Sequence, residues 1–222
     1  MSLQSIAKRL RASSALLSIG WQMAGSAATL CSALWVSWRY GMEAQGEFGL
    51  AKSWFDAAAA IAALGLPQGL LHLLYRCNVL PRLLLPWLLR SLAIGVLLCL
   101  PAALLMMAIN QPFSALVIAS LPLAVVHLLA RSWLLRTRGE VIYGLVTAVP
   151  ALLLLTGVIL AGQALGTLRY AWLLSVTAGL AGTVSLSLVL YSNRQANKAA
   201  TSHTPIPVES TNTDGNVSAN PV

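Results

Sequence analysis

The chain has 222 residues, 58% of them hydrophobic and only 9% charged, with a mean hydropathy of +0.76. A soluble domain carries about 25% charged residues, so this composition excludes an ordinary soluble globule. The net charge of +8 would suit nucleic acid, but the basic residues are strung along the ends of apolar runs with no reading module beside them, which argues against a nucleic-acid partner.

In chain order, residues 1–14 come first. Leu3, Ile6, Ala7 and Leu10 share one helical face, with Lys8 and Arg11 off it, which predicts a short helix lying in the cytoplasmic membrane interface. Six apolar runs follow: Ala15–Trp38, Gly49–Leu74, Leu83–Ala108, Phe113–Leu135, Val141–Gly162 and Ala171–Tyr191. A hydrocarbon core of roughly 30 Å takes about 20 helical residues. Lipid offers backbone amides no partner, so each run has to satisfy its own hydrogen bonds. The predicted class is therefore all-α: a polytopic bundle of six transmembrane helices over residues 15–191. The first run outlasts a signal-peptide core of roughly 7–15 residues and is expected to be retained. Residues 192–222 turn to Ser, Thr, Asn, Ala and Pro without an aromatic, which predicts a disordered tail.

Of the 14 Lys and Arg residues, only Arg39, Lys52 and Arg169 fall on the side opposite the amino terminus. That bias predicts cytoplasmic positions for both termini. The seven tryptophans lie mostly near run ends, as interfacial belts require. Cys31, Cys77 and Cys99 have neither zinc-site nor disulfide-framework spacing. There is no nucleophile elbow, metal-ligand cluster, phosphate loop or dinucleotide fingerprint. No enzyme activity, catalytic residue, metal or cofactor is expected. The last two runs carry little polar chemistry and read as scaffold.

One pattern recurs. Leu66-Pro67 is followed by His72-Leu73-Leu74 and Arg76; Leu121-Pro122 is followed by His127-Leu128-Leu129 and Arg131. Both read L-P-x4-H-L-L-x-R, in runs expected to cross in the same direction. His and Arg four apart share a helix face, and proline favours a break or kink above them. Within Gly65-Leu66-Pro67-Gln68-Gly69 such a break would expose Gln68 and free carbonyls, as in the broken helices of transporters; Pro122 is the corresponding point in the fourth run. Arg90 in the third run adds a further cation near the cytoplasmic mouth. Two readings stand for these residues: a functional pair, or arginines placed by topology alone and snorkelling to phosphates. Asp56, the one carboxylate inside an apolar run, also has two. It is either a structural partner of Lys52 at i−4, or a substrate or coupling-ion group, since intramembrane charges usually mark pathways.

The stretch Tyr40-Gly41-Met42-Glu43-Ala44-Gln45-Gly46-Glu47-Phe48-Gly49-Leu50, followed by Ala63-Leu64-Gly65-Leu66-Pro67-Gln68-Gly69-Leu70, resembles the amino-terminal region of polysaccharide and lipid-linked oligosaccharide flippases of the multidrug/oligosaccharidyl-lipid/polysaccharide exporter superfamily. Three extra residues precede Phe48-Gly49 relative to the family's usual loop. The resemblance covers about Ser13 to Ser192 and only one of the family's two six-helix lobes. It implies a multi-pass protein of the bacterial inner membrane that helps move an undecaprenyl-linked glycan between leaflets by alternating access, as a homodimer or with a second six-helix half. It further implies that Arg39, Asp56, Gln68 and His72 face a central cavity and that the fourth helix, with His127, is peripheral. Gly20, Ala24 and Ala28, and the pair Gly65 and Gly69, would allow close helix contact with the second half. The competing expectations are a non-transporting accessory subunit, a degenerate fragment, or a small-molecule exporter of the same superfamily.

Overall fold

The fold is that of a computed structural model, which describes residues 3–202 apart from 78, 80, 162 and 164; its side chains are described for 13–195 apart from those four, 81 and 82. The described chain is all helical, in six elements: α1 (Leu3–Ala63), α2 (Leu66–Tyr75), α3 (Pro81–Ala108), α4 (Pro112–Arg138), α5 (Glu140–Leu160) and α6 (Thr167–Ser202).

Four helices are each long and apolar enough to cross a membrane: Leu83–Ala108, Pro112–Arg138, Glu140–Leu160 and Thr167–Gln195. A fifth candidate is the broken pair Ser13–Ala63 and Leu66–Tyr75, bent by 47°. This fold is compatible with a multi-pass membrane protein. The expectation of six separate runs meets a difference at Gly41, where the first two runs join in one 61-residue element.

Gly41 is the only non-helical residue within α1, at φ 91° and ψ 175°. This is a conformation that costs residues with a Cβ of order 1–3 kcal/mol, so glycine is the residue that fits it. The chain doubles back there. Thr29 lines one cleft together with Lys52 and Asp56, whereas a straight helix would hold Thr29 and Asp56 about 40 Å apart. Gly139 repeats the device between α4 and α5, at φ 85° and ψ −179°. Two helix hairpins are thus each turned on a single glycine.

Close approaches set the helix directions. A Cβ on Gly144 would lie 2.7 Å from the Ser18 carbonyl oxygen, and one on Gly25 would lie 3.1 Å from Cα of Ala148. The first arm of α1 therefore runs parallel to α5, backbone nearly on backbone. On the other side α4 and α6 run parallel in constant register. Ser175 donates to the Leu116 carbonyl at a separation of 59 residues, His127 meets Ser185 at 58, and Arg138 meets Gln195 at 57. Gly182 sits at the tightest point of that seam, where a Cβ would be 2.6 Å from the Leu123 carbonyl oxygen. With lipid as solvent, such small-residue contacts supply the van der Waals packing that holds helices together.

Two clusters fill the interior. At the Gly41 end, Val36, Phe48, Phe55, Val158, Tyr170 and Leu174 pack together, with Phe48 edge-on to Tyr170 at 5.3 Å. Toward the other end, Leu70, Leu74, Leu88, Leu129, Trp133 and Val189 form the second. Polar side chains along the helices bond their own backbone: Ser32 to Ala28, Thr147 to Tyr143, Thr156 to Leu152. That leaves few demands on an apolar surround.

Several expectations are corrected. α4 is the central helix, with half of its membrane-length window buried, whereas α3 has 6%; the peripheral place implied for the fourth helix falls to α3. Pro122 does not break α4, which is helical throughout; its ring is instead the surface against which Gly95 of α3 packs. Gly69 is helical inside α2, and the break lies at Leu64 and Gly65, both at positive φ. Pro67 stands in the first turn of α2, where its missing N–H costs nothing. α6 continues past Tyr191 to Ser202, aided by Gln195, which accepts from Arg138 and donates to the Tyr191 hydroxyl. The rest of the expected tail lies outside the described residues. The helix assigned to residues 1–14 belongs, from Leu3, to α1, and its side chains up to Ala12 lie outside those described. Trp133 is 1% exposed and is a core residue, not part of an interfacial belt.

Candidate functional site

Against the first of these clusters the bundle opens a cleft of about 320 Å3, walled by Phe55, Ala124, Pro150, Leu154, Leu174 and Ala178. Into this apolar surround four ionisable side chains converge: Lys52 and Asp56 from the second arm of α1, and His127 and Arg131 from α4. Thr29, Thr147 and Thr177 add hydroxyls from α1, α5 and α6. The helical period explains the grouping. Lys52 and Asp56 are four apart, as are His127 and Arg131, so each pair shares a face; both pairs line the cleft, with His127 buried, Lys52 and Arg131 half-buried and Asp56 exposed.

Each group is held differently. Lys52 Nζ donates to Asp56 Oδ2 at 2.6 Å, the only ion pair among the described residues. His127 is buried, with Nδ1 2.8 Å from the Ser185 hydroxyl of α6. Arg131 donates through Nη2 to the Tyr143 hydroxyl of α5 at 3.3 Å and lies over that ring at 5.5 Å. Its Nε is buried without a hydrogen-bond partner among the described residues. The cleft thus holds two cations against one carboxylate, with a guanidinium N–H unspent. Such a site favours a ligand carrying negative charge and several acceptor oxygens.

Of the residues singled out in the sequence, Asp56, His127 and Arg131 meet in this cleft. Gln68, His72 and Arg76 do not: they lie at i, i+4 and i+8 on the exposed face of α2, whose opposite face buries Leu70 and Leu74. Arg39 is exposed beside the Gly41 turn and Arg90 is exposed on α3, both away from the cleft. Gly65 lies in the break and Pro67 follows it in the first turn of α2, and Gly65 and Gly69 have open space around them. Tyr143, Thr147, Thr177 and Ser185 were missed, because α5 and α6 read as scaffold; a hydroxyl in a leucine-rich run gives no signal until its partner on another helix is known. Among the described residues no group of His, Cys, Asp and Glu could hold a metal ion.

The fold and the cleft together define a class: an all-helical protein compatible with a multi-pass membrane protein, with a charged cleft between its apolar helices. No protein-family model, curated protein or solved structure matches the chain.

Proposed function

We propose that this chain is a half-size membrane transporter: one six-pass lobe of a flippase that moves an anionic lipid-linked oligosaccharide or polysaccharide precursor across the bacterial inner membrane. The two arms of α1 then cross separately, and both termini lie in the cytoplasm. The observation that carries this reading is the convergence of Lys52, Asp56, His127 and Arg131 in one apolar-walled cleft. Charged groups at membrane depth are costly and are retained where they line a pathway. Here the excess positive charge complements a phosphate or diphosphate head group.

Size supports the half-lobe reading. About 320 Å3 is at the lower end of ligand pockets. It suits an anionic head group but not a whole glycan, whose sugars would need space that a second lobe encloses. A second copy of this chain is the simplest such lobe, since identical six-pass halves share an orientation and pair about an axis along the membrane normal. The break at Leu64–Gly65 supplies a point at which α2 can pivot as access alternates between leaflets.

The test is translocation of a fluorescent undecaprenyl-diphosphate sugar in vesicles containing only this chain. Transfer between leaflets is expected, and Arg131→Gln is expected to reduce it by at least about tenfold, the loss of roughly one charge-assisted hydrogen bond. No transfer by well-inserted wild-type protein would reject transport by this chain alone and favour the accessory-subunit reading.

A further inference from the structure

At the end of the bundle opposite the Gly41 turn, the last turn of α4 carries two arginines that pair with no carboxylate among the described residues. Arg136 lies over the ring of Tyr75 from α2 at 5.5 Å, and Arg138 lies over the ring of Tyr191 from α6 at 5.3 Å. Arg138 Nη2 also donates to Gln195 Oε1 at 2.9 Å. Both guanidinium groups are exposed, as are Arg76, the neighbour of Tyr75, and Arg194, the neighbour of Gln195. Glu140, two residues past Arg138, makes no ion pair with any of them.

Topology alone would leave these arginines as separate, freely rotating charges. Cation–π contact instead holds each guanidinium against a ring, with both arginines still exposed. Both stand where α4 ends at Arg138 and α2 ends at Tyr75, the depth at which head-group phosphates lie and where tyrosines concentrate in a six-pass arrangement. Two exposed guanidinium groups at that depth match a phosphodiester.

We propose that the Arg136–Tyr75 and Arg138–Tyr191 pairs form a binding site for the head group of an anionic glycerophospholipid, on the outside of the bundle and separate from the cleft. The lipid bridges the ends of α2 and α4 and the turn of α6 that carries Tyr191.

The full chain, purified in mild detergent and mixed with phosphatidylglycerol or phosphatidylcholine, is assayed by native mass spectrometry for lipid retained per protein. Wild type is expected to retain phosphatidylglycerol in preference. R136Q/R138Q is expected to lose that preference, whereas R39Q/R169Q, which removes as much charge at the opposite end, keeps it. R136K/R138K keeps the charge without the planar fork and is expected to lose most of the preference; it decides the matter if the glutamine variant does not fold. Equal loss in R136Q/R138Q and R39Q/R169Q, full retention in R136K/R138K, or equal retention of the two lipids by wild type would overturn the proposal. None of these readouts depends on transport, so the lipid site and the transporter reading fail separately.

Discussion

His72 and His127 occupy the same place in the same eleven-residue motif and have opposite fates. His127 is buried against α6 and meets the Ser185 hydroxyl; His72 is exposed on α2. The motif fixed which residues share a helix face, but it held nothing about which face meets a neighbour, and that difference decides which histidine joins the site. The partner of His127 was illegible for the same reason, lying 58 residues away as one of several Ser and Thr residues in its run, none of them set apart by its spacing. Ser185→Ala leaves an imidazole nitrogen buried without its partner. Interhelical hydrogen bonds in membranes average about 0.6 kcal/mol, with a maximum near 1.7 kcal/mol, so thermal unfolding in detergent should show a loss within that range. A neutral result for Ser185→Ala would mean that His127 finds another hydrogen-bond partner.

For α3 to α5 the apolar runs placed the helices to within a few residues, because an unbroken stretch of leucine, valine and alanine at membrane length has one viable backbone solution. The break ahead of α2 was also legible, since Gly65-Leu66-Pro67 combines a residue that accepts positive φ with one that suits a first turn. What escaped was the joining of two runs through Gly41, where the expected loop of Arg39–Phe48 shrinks to one residue and the rest is helix. Such a turn depends on the backbone of that residue. Gly41→Ala is expected to cost about 1–3 kcal/mol through strain at φ 91° alone, as its Cβ would meet nothing within 4 Å. Gly182→Ala tests the opposite case: an ordinary helical backbone with a Cβ driven to 2.6 Å from the Leu123 carbonyl oxygen. Overpacking of that kind costs typically about 1–3 kcal/mol and should part α4 from α6, which cysteine crosslinking between residues 116 and 175 would register as lost yield.

At the scale of the molecule, the apolar composition accords with four or five helices that could cross a membrane and leaves the count of crossings to the path of α1. If its arms cross separately, the Gly41 and Gly139 turns lie on opposite faces of the membrane. In a background lacking Cys31, Cys77 and Cys99, a membrane-impermeant maleimide added from outside should label Glu43→Cys and spare Thr137→Cys. Labelling of both, or of neither until the membrane is opened, would contradict the six-pass arrangement. The two turns also constrain how the cleft can open. Sliding one arm of a hairpin past the other by a helical turn is a shift of about 5.4 Å, which needs at least one or two spare extended residues at about 3.3–3.6 Å each, and a linker of one glycine has none to give. Each hairpin must therefore travel as a single lever, and the freedom to move is left to the junctions between levers.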